Sequence, residues 1–373
     1  MKTRVLAFVT NNIATDQRLQ KVGNSLQTAG YDFELVGTNS QGLPELHCGF
    51  RTQRFRQIFQ RGFLFYAENN IRIFFFLLFR NLKNTILLSN DLDTLLPLYI
   101  ISKLRNKPLV FDSHEIFSKL PSLSPGSVQE KFWTWLEKRL VPNVKHFYTV
   151  SEGYANWFEE NYKNRPVIIR NVPVAETQQL KENASTTSIN VPKILLYQGA
   201  LNANRGLERM ILAMEHLPEY VLWIVGSGPK EADLKNLTHQ QKYPERIIFH
   251  GYKSPLELKK LTKKAHIGLS LEEANNISYK LALPNKIFDY IHANLPIVGT
   301  HELPEVANII QTYKLGSVVN SRDVQELVRC VKETEQMEFN RANFHNAQQE
   351  FNWKNQEEKL LRVFAAASSD KHS

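Results

Sequence analysis

The chain has 373 residues, too long for one ordinary core and long enough for two domains of roughly 150–200 residues. Hydrophobic residues make up 42% and charged residues 22%, with 16 Gly and 16 Pro, which excludes collagen-like, low-complexity and disordered chains. The formal net charge of +9 raises the question of an anionic partner, and the two distant cysteines, Cys48 and Cys330, fit a reducing, cytoplasmic setting better than a disulfide framework or a metal cluster.

Met1-Lys2-Thr3-Arg4 runs directly into apolar residues 5–9 and then polar Thr10-Asn11-Asn12, which reads as a first strand and argues against a signal peptide. Apolar runs of strand length recur at 33–36, 85–88, 109–111, 146–150 and 167–169, with helical-length stretches between most of them. This is the signature of a parallel sheet with crossover helices. Between 51 and 83, Arg51, Arg54, Arg56, Arg61, Arg72, Arg80 and Lys83 stand against Glu68 alone, interleaved with phenylalanines. On a helix starting near Arg51, Phe55, Phe59, Phe63 and Tyr66 share one stripe, with Arg54 and Arg61 on a neighbouring face. Such a stripe suits a helix lying on anionic lipid, or one packed on the sheet with solvated arginines. The most apolar stretch, residues 71–79, contains Arg72 and is far shorter than the roughly 20 apolar residues of a membrane-spanning helix.

Asp91-Leu92-Asp93 follows a strand and precedes an apolar helix. Two carboxylates so spaced are a way to hold a divalent cation, but helix capping accounts for them without a metal. His114, in Phe111-Asp112-Ser113-His114-Glu115, stands just beyond a strand. It could hydrogen-bond a ligand hydroxyl, act as acid or base, or be satisfied by Asp112 or Glu115.

Residues 175–190 are polar and lack apolar periodicity, as a connector would be. The alternation then resumes, with strands expected at 194–198, 220–225, 247–249, 267–271, 296–298 and 317–319. The expected architecture is α/β, with two facing, doubly wound, Rossmann-like domains at 1–170 and 193–350, a linker at 171–192, and a C-terminal stretch, 351–373, whose helix packs back on the first domain. Ligand is then expected in an interdomain cleft, at the carboxyl ends of the strands.

Three segments of the second domain carry candidate chemistry. Gly199-Ala200-Leu201-Asn202 leads through Arg205 and Gly206 into a helix whose free N–H groups, with the guanidinium, suit a diphosphate; an ordinary strand–turn–helix reads the same way. Gly226-Ser227-Gly228-Pro229 allows a close backbone approach, with Pro229 suited to the first helical position. In Pro284-Asn285-Lys286-Ile287-Phe288-Asp289, Asn285 can cap a helix on which Lys286 and Asp289 share a face, to meet a phosphate and a vicinal diol or simply to form a surface ion pair. The basic surplus lies in the first half, with 22 Lys/Arg against 14 Asp/Glu in residues 1–170 and 24 against 23 in 171–373.

In order and spacing, Thr15-Asp16-Gln17-Arg18, Phe111 to Glu115, Tyr148-Thr149-Val150-Ser151-Glu152, Ile169-Arg170-Asn171-Val172-Pro173, Tyr197 to Asn202, Gly226 to Pro229, Phe249-His250-Gly251 and Leu283 to Tyr290 resemble the family 4 (group 1) glycosyltransferases of GT-B fold, in a bacterial branch with a Pro-Asn-Lys turn. The resemblance spans nearly the whole chain. It implies a retaining, metal-independent hexosyl transfer from a nucleotide diphosphate sugar to an acceptor hydroxyl, in bacterial surface polysaccharide or glycolipid synthesis. The donor is a co-substrate and no cofactor is implied; the acceptor is a carbohydrate or a lipid-linked sugar.

By the same resemblance, His114, Arg205 and Lys286 are catalytic, with Arg205 and Lys286 neutralising the departing diphosphate. Asn12, Gly199, Asn202, Gly226, Gly228, Pro284, Asn285 and Asp289 bind the donor, Asp289 at the ribose. The chain departs from the family where Leu281 stands eight positions before Asp289, in place of an acidic residue; Glu272 or Glu273 is the substitute expected to contact the donor sugar. It also lacks the paired glycines of the first loop, and Ala200 replaces a frequent arginine. Arg51, Arg54, Arg56 and Arg61 are read as the membrane or acceptor side, with the enzyme peripheral on the inner face of the cytoplasmic membrane. A GT-B nucleotide-sugar epimerase and a non-catalytic sugar-binding relative are the alternatives; no nucleic-acid-binding signature occurs.

Overall fold

A computed structural model of the chain describes residues 2–10, 13–14, 16–39, 48–120, 123–174 and 192–370. The chain divides into two compact units, Met1–Asn171 with Asn355–Ser373, and Val172–Lys354. Most of the linker expected at 171–192, and Asn12, lie outside the described residues.

In chain order the first unit holds β1 (Arg4–Phe8), α1 (Gln17–Thr28), β2 (Asp32–Asn39), β3 (Arg51–Arg56), α2 (Gly62–Leu78), β4 (Thr85–Asn90), α3 (Leu92–Arg105), β5 (Leu109–Ser113), α4 (Val128–Leu140), β6 (His146–Thr149), α5 (Glu152–Tyr162) and β7 (Val167–Ile168). Its strands form one parallel sheet of order β3-β2-β1-β4-β5-β6-β7. Val5, Leu6, Ala7 and Phe8 are wholly buried, as expected of a central parallel strand covered on both faces.

Residues 51–56 do not begin a helix. They form the edge strand β3, in parallel register with β2 from Glu34 opposite Arg51 to Asn39 opposite Arg56. An open edge is protected from pairing with another chain by charge, and the arginines supply it. Helix α2 starts only at Gly62, so the stripe expected through Phe55, Phe59, Phe63 and Tyr66 is broken between a strand, a turn and a helix. Arg51 pairs with Asp32 at 2.6 Å, while Arg61 occupies the N-cap position of α2 without a side-chain cap bond.

The second unit holds β8 (Lys193–Gln198), α6 (Leu207–Ala213), β9 (Tyr220–Val225), α7 (Glu231–His239), β10 (Ile247–Gly251), α8 (Pro255–Thr262), β11 (Ile267–Ser270), α9 (Ile277–Leu281), α10 (Lys286–His292), β12 (Ile297–Thr300), α11 (Pro304–Thr312), β13 (Gly316–Val319), α12 (Val324–Gln336) and α13 (Arg341–Glu350). Its six strands are parallel, in the order β10-β9-β8-β11-β12-β13. Helix α14 (Trp353–Ser369) leaves this unit and returns to the first. There Phe364 meets Tyr31 edge-on at 6.2 Å, and Asp370 lies 2.7 Å from both Lys145 and His146. Among the described residues no helix is long and apolar enough to cross a membrane.

In each sheet the strand order reverses beside the unit's first strand, between β1 and β4 and between β8 and β11. Connections leave such a point in opposite directions and open a crevice at the carboxyl ends of the strands, where open α/β sheets bind ligands. The loops there carry Thr10, Asp91 and His114 in the first unit, and Gly199, Arg205 and Glu272 in the second.

Candidate functional site

The second unit gathers two cations on one carboxylate. Glu272 follows β11 and is 2% exposed; its Oε1 lies 2.7 Å from Lys286 Nζ and 3.8 Å from Arg205 Nη1, and its Oε2 accepts from Ser270 Oγ at 2.6 Å. Burial alone would raise the Glu272 pKa, but Lys286, Ser270 and Arg205 hold it below the usual carboxylate range. Burial lowers the Lys286 ammonium from its ordinary value, only partly offset by Glu272. Lys286 Nζ also sits 3.8 Å from the centroid of the Tyr197 ring, and the Arg205 guanidinium lies 5.2 Å from that of Tyr279. Both cations thus rest on aromatic faces.

Local backbone explains why these groups meet. Gly206 is left-handed at φ 69°, and a Cβ there would stand 2.3 Å from the carbonyl oxygen of Leu271. Only glycine lets the turn after β8 lie against the end of β11, which carries Arg205 to Glu272. Gly226, at φ 147°, lies so close to Gly199 that a Cβ would be 1.8 Å from the Gly199 carbonyl oxygen. Leu201 N–H donates to Ser227 O at 3.0 Å, and Lys230 N–H to Leu201 O at 3.0 Å. The glycines after β9 therefore bring two loops of the protein together; the close approach expected of Gly226 and Gly228 is made to Gly199 and Leu201. Asn202 continues the first of these loops, half-buried.

Several local expectations need correction. Pro229 lies in a turn, and α7 begins at Glu231 after Lys230 at the N-cap. Helix α10 does begin at Lys286, but Asn285 adopts helical angles and makes no side-chain cap bond. Pro284 precedes it and accepts from Ile287 N–H at 3.2 Å. Lys286 and Asp289 are not a surface pair: Lys286 is buried on Glu272, and Asp289 accepts from Gln198 Nε2 at 2.7 Å, with Gln198 fixed in turn by Thr262 Oγ1 at 2.9 Å. Of the two acidic substitutes considered, Glu272 joins Lys286 and Arg205, whereas Glu273 turns to Arg322 at 3.3 Å.

The first unit has its own charged cluster. Arg18 of α1 forks onto Asp112 at 3.0 and 2.9 Å and donates to Ile169 O at 2.9 Å. His114 Nε2 lies 2.9 Å from Asp112 Oδ2, and Nδ1 lies 3.4 Å from Asp91 Oδ2. Burial would raise the Asp112 pKa, but Arg18 and His114 hold it at about 2. Burial would lower that of His114, but Asp112 and Asp91 hold it well above the ordinary value. An imidazolium can donate hydrogen bonds or a proton but cannot serve as a base. Of the two carboxylates expected beside His114, Asp112 forms an ion pair with it, and Asp91 rather than Glu115 is the second.

Asp91 occupies the N-cap position of α3 without capping it through its side chain. At φ 60° and ψ 169° its backbone lies in a region used almost only by glycine, where strain costs about 1–3 kcal/mol. It is held there by its backbone N–H, which donates to Asp112 O at 2.8 Å, and by its carboxylate, which accepts from the His114 backbone N–H at 2.8 Å. Asp93 is buried and accepts from the Thr10 hydroxyl; burial, with Asp91 beside it, pushes its carboxyl up to about 8. Among the described residues no group of three or more His, Cys, Asp or Glu side chains is arranged to hold a metal ion.

The Arg18–Asp112 pair was not anticipated from the sequence. Its signal is an arginine on the apolar stripe of α1, in line with buried Val22, Ser25 and Leu26.

Residues 179–351 match the family model described as Glycosyl transferases group 1. No curated protein matches the chain. Among solved structures, sucrose-phosphate synthase from Thermosynechococcus elongatus superposes with TM-score 0.75 at 14% identity, over 98% of this chain and 99% of that one. Anabaena HepE in complex with UDP gives 0.70 at 14% identity, over 98% and 100%. TarM of S. aureus, solved with UDP, fondaparinux and alpha-GlcNAc-glycerol, gives 0.72 at 9% identity, over 99% and 100%. At these identities the likeness is one of fold, and the fold is GT-B.

Proposed function

We propose that this protein is a group 1 glycosyltransferase that moves a sugar from a nucleoside diphosphate sugar to an acceptor hydroxyl, with retention of configuration and without a metal. The observation that carries the reading is the meeting of Arg205 and Lys286 on Glu272, within the segment that matches the family model. Two buried or half-buried cations share one carboxylate, so the site has a surplus positive charge and answers a diphosphate.

As the glycosidic bond to the donor breaks, negative charge grows on the leaving phosphate oxygen. Arg205 and Lys286 are fixed beside aromatic faces before reaction, so they stabilise that charge with little reorganisation. Glu272 keeps them close despite their mutual repulsion. Asp289, oriented by Gln198, is assigned to the ribose hydroxyls. His114, charged beside Asp112 and Asp91, is assigned to the donor sugar as a hydrogen-bond donor through Nδ1, which lies 3.4 Å from Asp91. The acceptor is read as a carbohydrate or lipid-linked sugar of a bacterial surface polysaccharide or glycolipid, met at the inner face of the cytoplasmic membrane.

The test begins with a thermal-shift screen of UDP, GDP, ADP and dTDP, with UDP first because HepE and TarM were solved with it. A nucleotide at 100 times its dissociation constant adds about 2.7 kcal/mol. Donor turnover is then measured in Arg205→Ala, which is expected to lose about 10²–10³-fold with folding intact. Undiminished turnover, or no shift with any nucleotide, sinks the reading.

A further inference from the structure

The outer face of α2 is apolar where a solvent-facing helix normally carries charge. Asn69, Ile73 and Leu77 form its buried side, and Leu64, Ile71, Phe75 and Phe79 fall on the opposite side, all exposed, Phe79 to 82%. Glu68, the acidic residue of this helix, is neutralised by neighbouring groups of the chain. It accepts from the backbone N–H groups of Ile58 and Phe59 at 2.9–3.0 Å and from Arg72 Nε at 2.8 Å. That clasp presents the Ile58 and Phe59 side chains beside the helix, where they line a groove with Phe55, Leu64, Ile71 and Phe75, into which the mutually paired Glu68 and Arg72 also face.

The surface continues onto α4. Phe63 meets Phe132 edge-on at 5.3 Å, and Phe132 lies 6.3 Å from Trp135, which is 59% exposed. Single exposed apolar side chains are ordinary, but a contiguous run along two helices marks an interaction surface. Its border is basic. Arg56 and Arg61 are exposed ahead of α2, and Lys131, Lys138 and Arg139 are exposed on α4. Glu130 of α4 is engaged by Lys119 and the Gly126 N–H.

We propose that this face rests on an anionic lipid bilayer, with the exposed phenylalanines at the acyl boundary, Trp135 at the interface and the basic border among the headgroups. Charge selects the occupant: a second copy of the chain would set this basic border against its own like, whereas anionic lipid neutralises it. The inference does not depend on sugar transfer, and its test needs no donor.

The full chain is floated with vesicles of phosphatidylcholine alone and with vesicles also containing phosphatidylglycerol, at low and high salt. Binding is expected to the anionic vesicles and to weaken with salt. Phe75→Glu with Phe79→Glu removes two partly inserted rings at exposed positions and should lower the partition about 100-fold, roughly tenfold per ring. Arg56→Glu with Arg61→Glu should lower it at least about tenfold on anionic vesicles and leave weak binding to neutral ones unchanged. Circular dichroism of both variants checks that the fold is kept. The proposal is overturned if the native chain stays soluble with both vesicles at low salt, if it binds them equally, or if the phenylalanine variant binds as the native chain does. It is equally overturned if sedimentation without lipid shows a dimer that the same two substitutions abolish.

Discussion

Replacing Lys286 by methionine separates the two jobs assigned to it. The ammonium and the Glu272 carboxylate are 7% and 3% exposed and 2.7 Å apart, an attraction of about 6 kcal/mol at an effective dielectric of 20. Desolvation of both groups consumes most of that, so the intact pair contributes little net stability. Removing the lysine alone strands Glu272 in a buried site with Arg205 at 3.8 Å and the Ser270 hydroxyl. The expected loss is about 3 kcal/mol near neutral pH, the low end for a broken buried pair because Arg205 remains.

The pH dependence has a defined sign. In the native protein the Glu272 pKa is depressed, so its contribution is present above the ordinary carboxylate value and is lost as pH falls through the lower folded value. Without Lys286, burial dominates and raises the pKa, so the variant loses stability as pH rises through the folded value. Urea unfolding at about pH 5 and about pH 7.5 should therefore show a deficit that grows toward neutral pH. Adding Glu272→Gln to Lys286→Met should restore most of it, while donor turnover stays down about 10²–10³-fold. A deficit equal at both pH values, or no recovery in the double variant, refutes the account of this cluster.

Two further outcomes follow from groups in either unit. Asp93→Asn imitates the protonated acid that burial favours; since the Asp93 pKa is raised to about 8, its native contribution is full below the unfolded carboxylate value and lost as pH rises toward 8, so the variant should gain about 4 kcal/mol near pH 7 and show a flatter stability profile in denaturant titrations. Gly226→Ala puts a methyl group 1.8 Å from the Gly199 carbonyl oxygen; it should cost about 3 kcal/mol or more and weaken nucleotide binding in a thermal-shift assay, through displacement of the loop after β8.

What the sequence made legible follows from how strongly each residue's environment is written into its neighbours. Central parallel strands announce themselves as short apolar runs, which is why β1, β2, β4, β5, β6, β8, β9, β11 and β12 were expected within a few residues of where they lie, and the edge strands β7, β10 and β13 carry short apolar runs of the same kind. Strand β3 hid because an edge strand needs no apolar run, and Arg51-Thr-Gln-Arg-Phe-Arg56 resembles an amphipathic helix start once Phe59 and Phe63 are read on. Spacing on one helix places Lys286 and Asp289 together, but each is oriented by a residue at a strand end, Lys286 by Glu272 from the loop just before it and Asp289 by Gln198, 91 residues away. The Arg18–Asp112 pair is separated by 94 residues, and no local pattern links its halves.

The return of α14 to the first unit gives the fold an order in time. Leu360, Phe364 and Ala367 are wholly buried, and Gln356 accepts from the Arg170 N–H at 2.9 Å, so these residues belong to the packing of the first unit. During synthesis they emerge only after all of Val172–Lys354 has been made. The unit that is translated first is thus completed last, and its apolar surface around Tyr31 and His146 waits, uncovered, for the final helix. A premature stop near Asn355 would leave the second unit whole and damage the first.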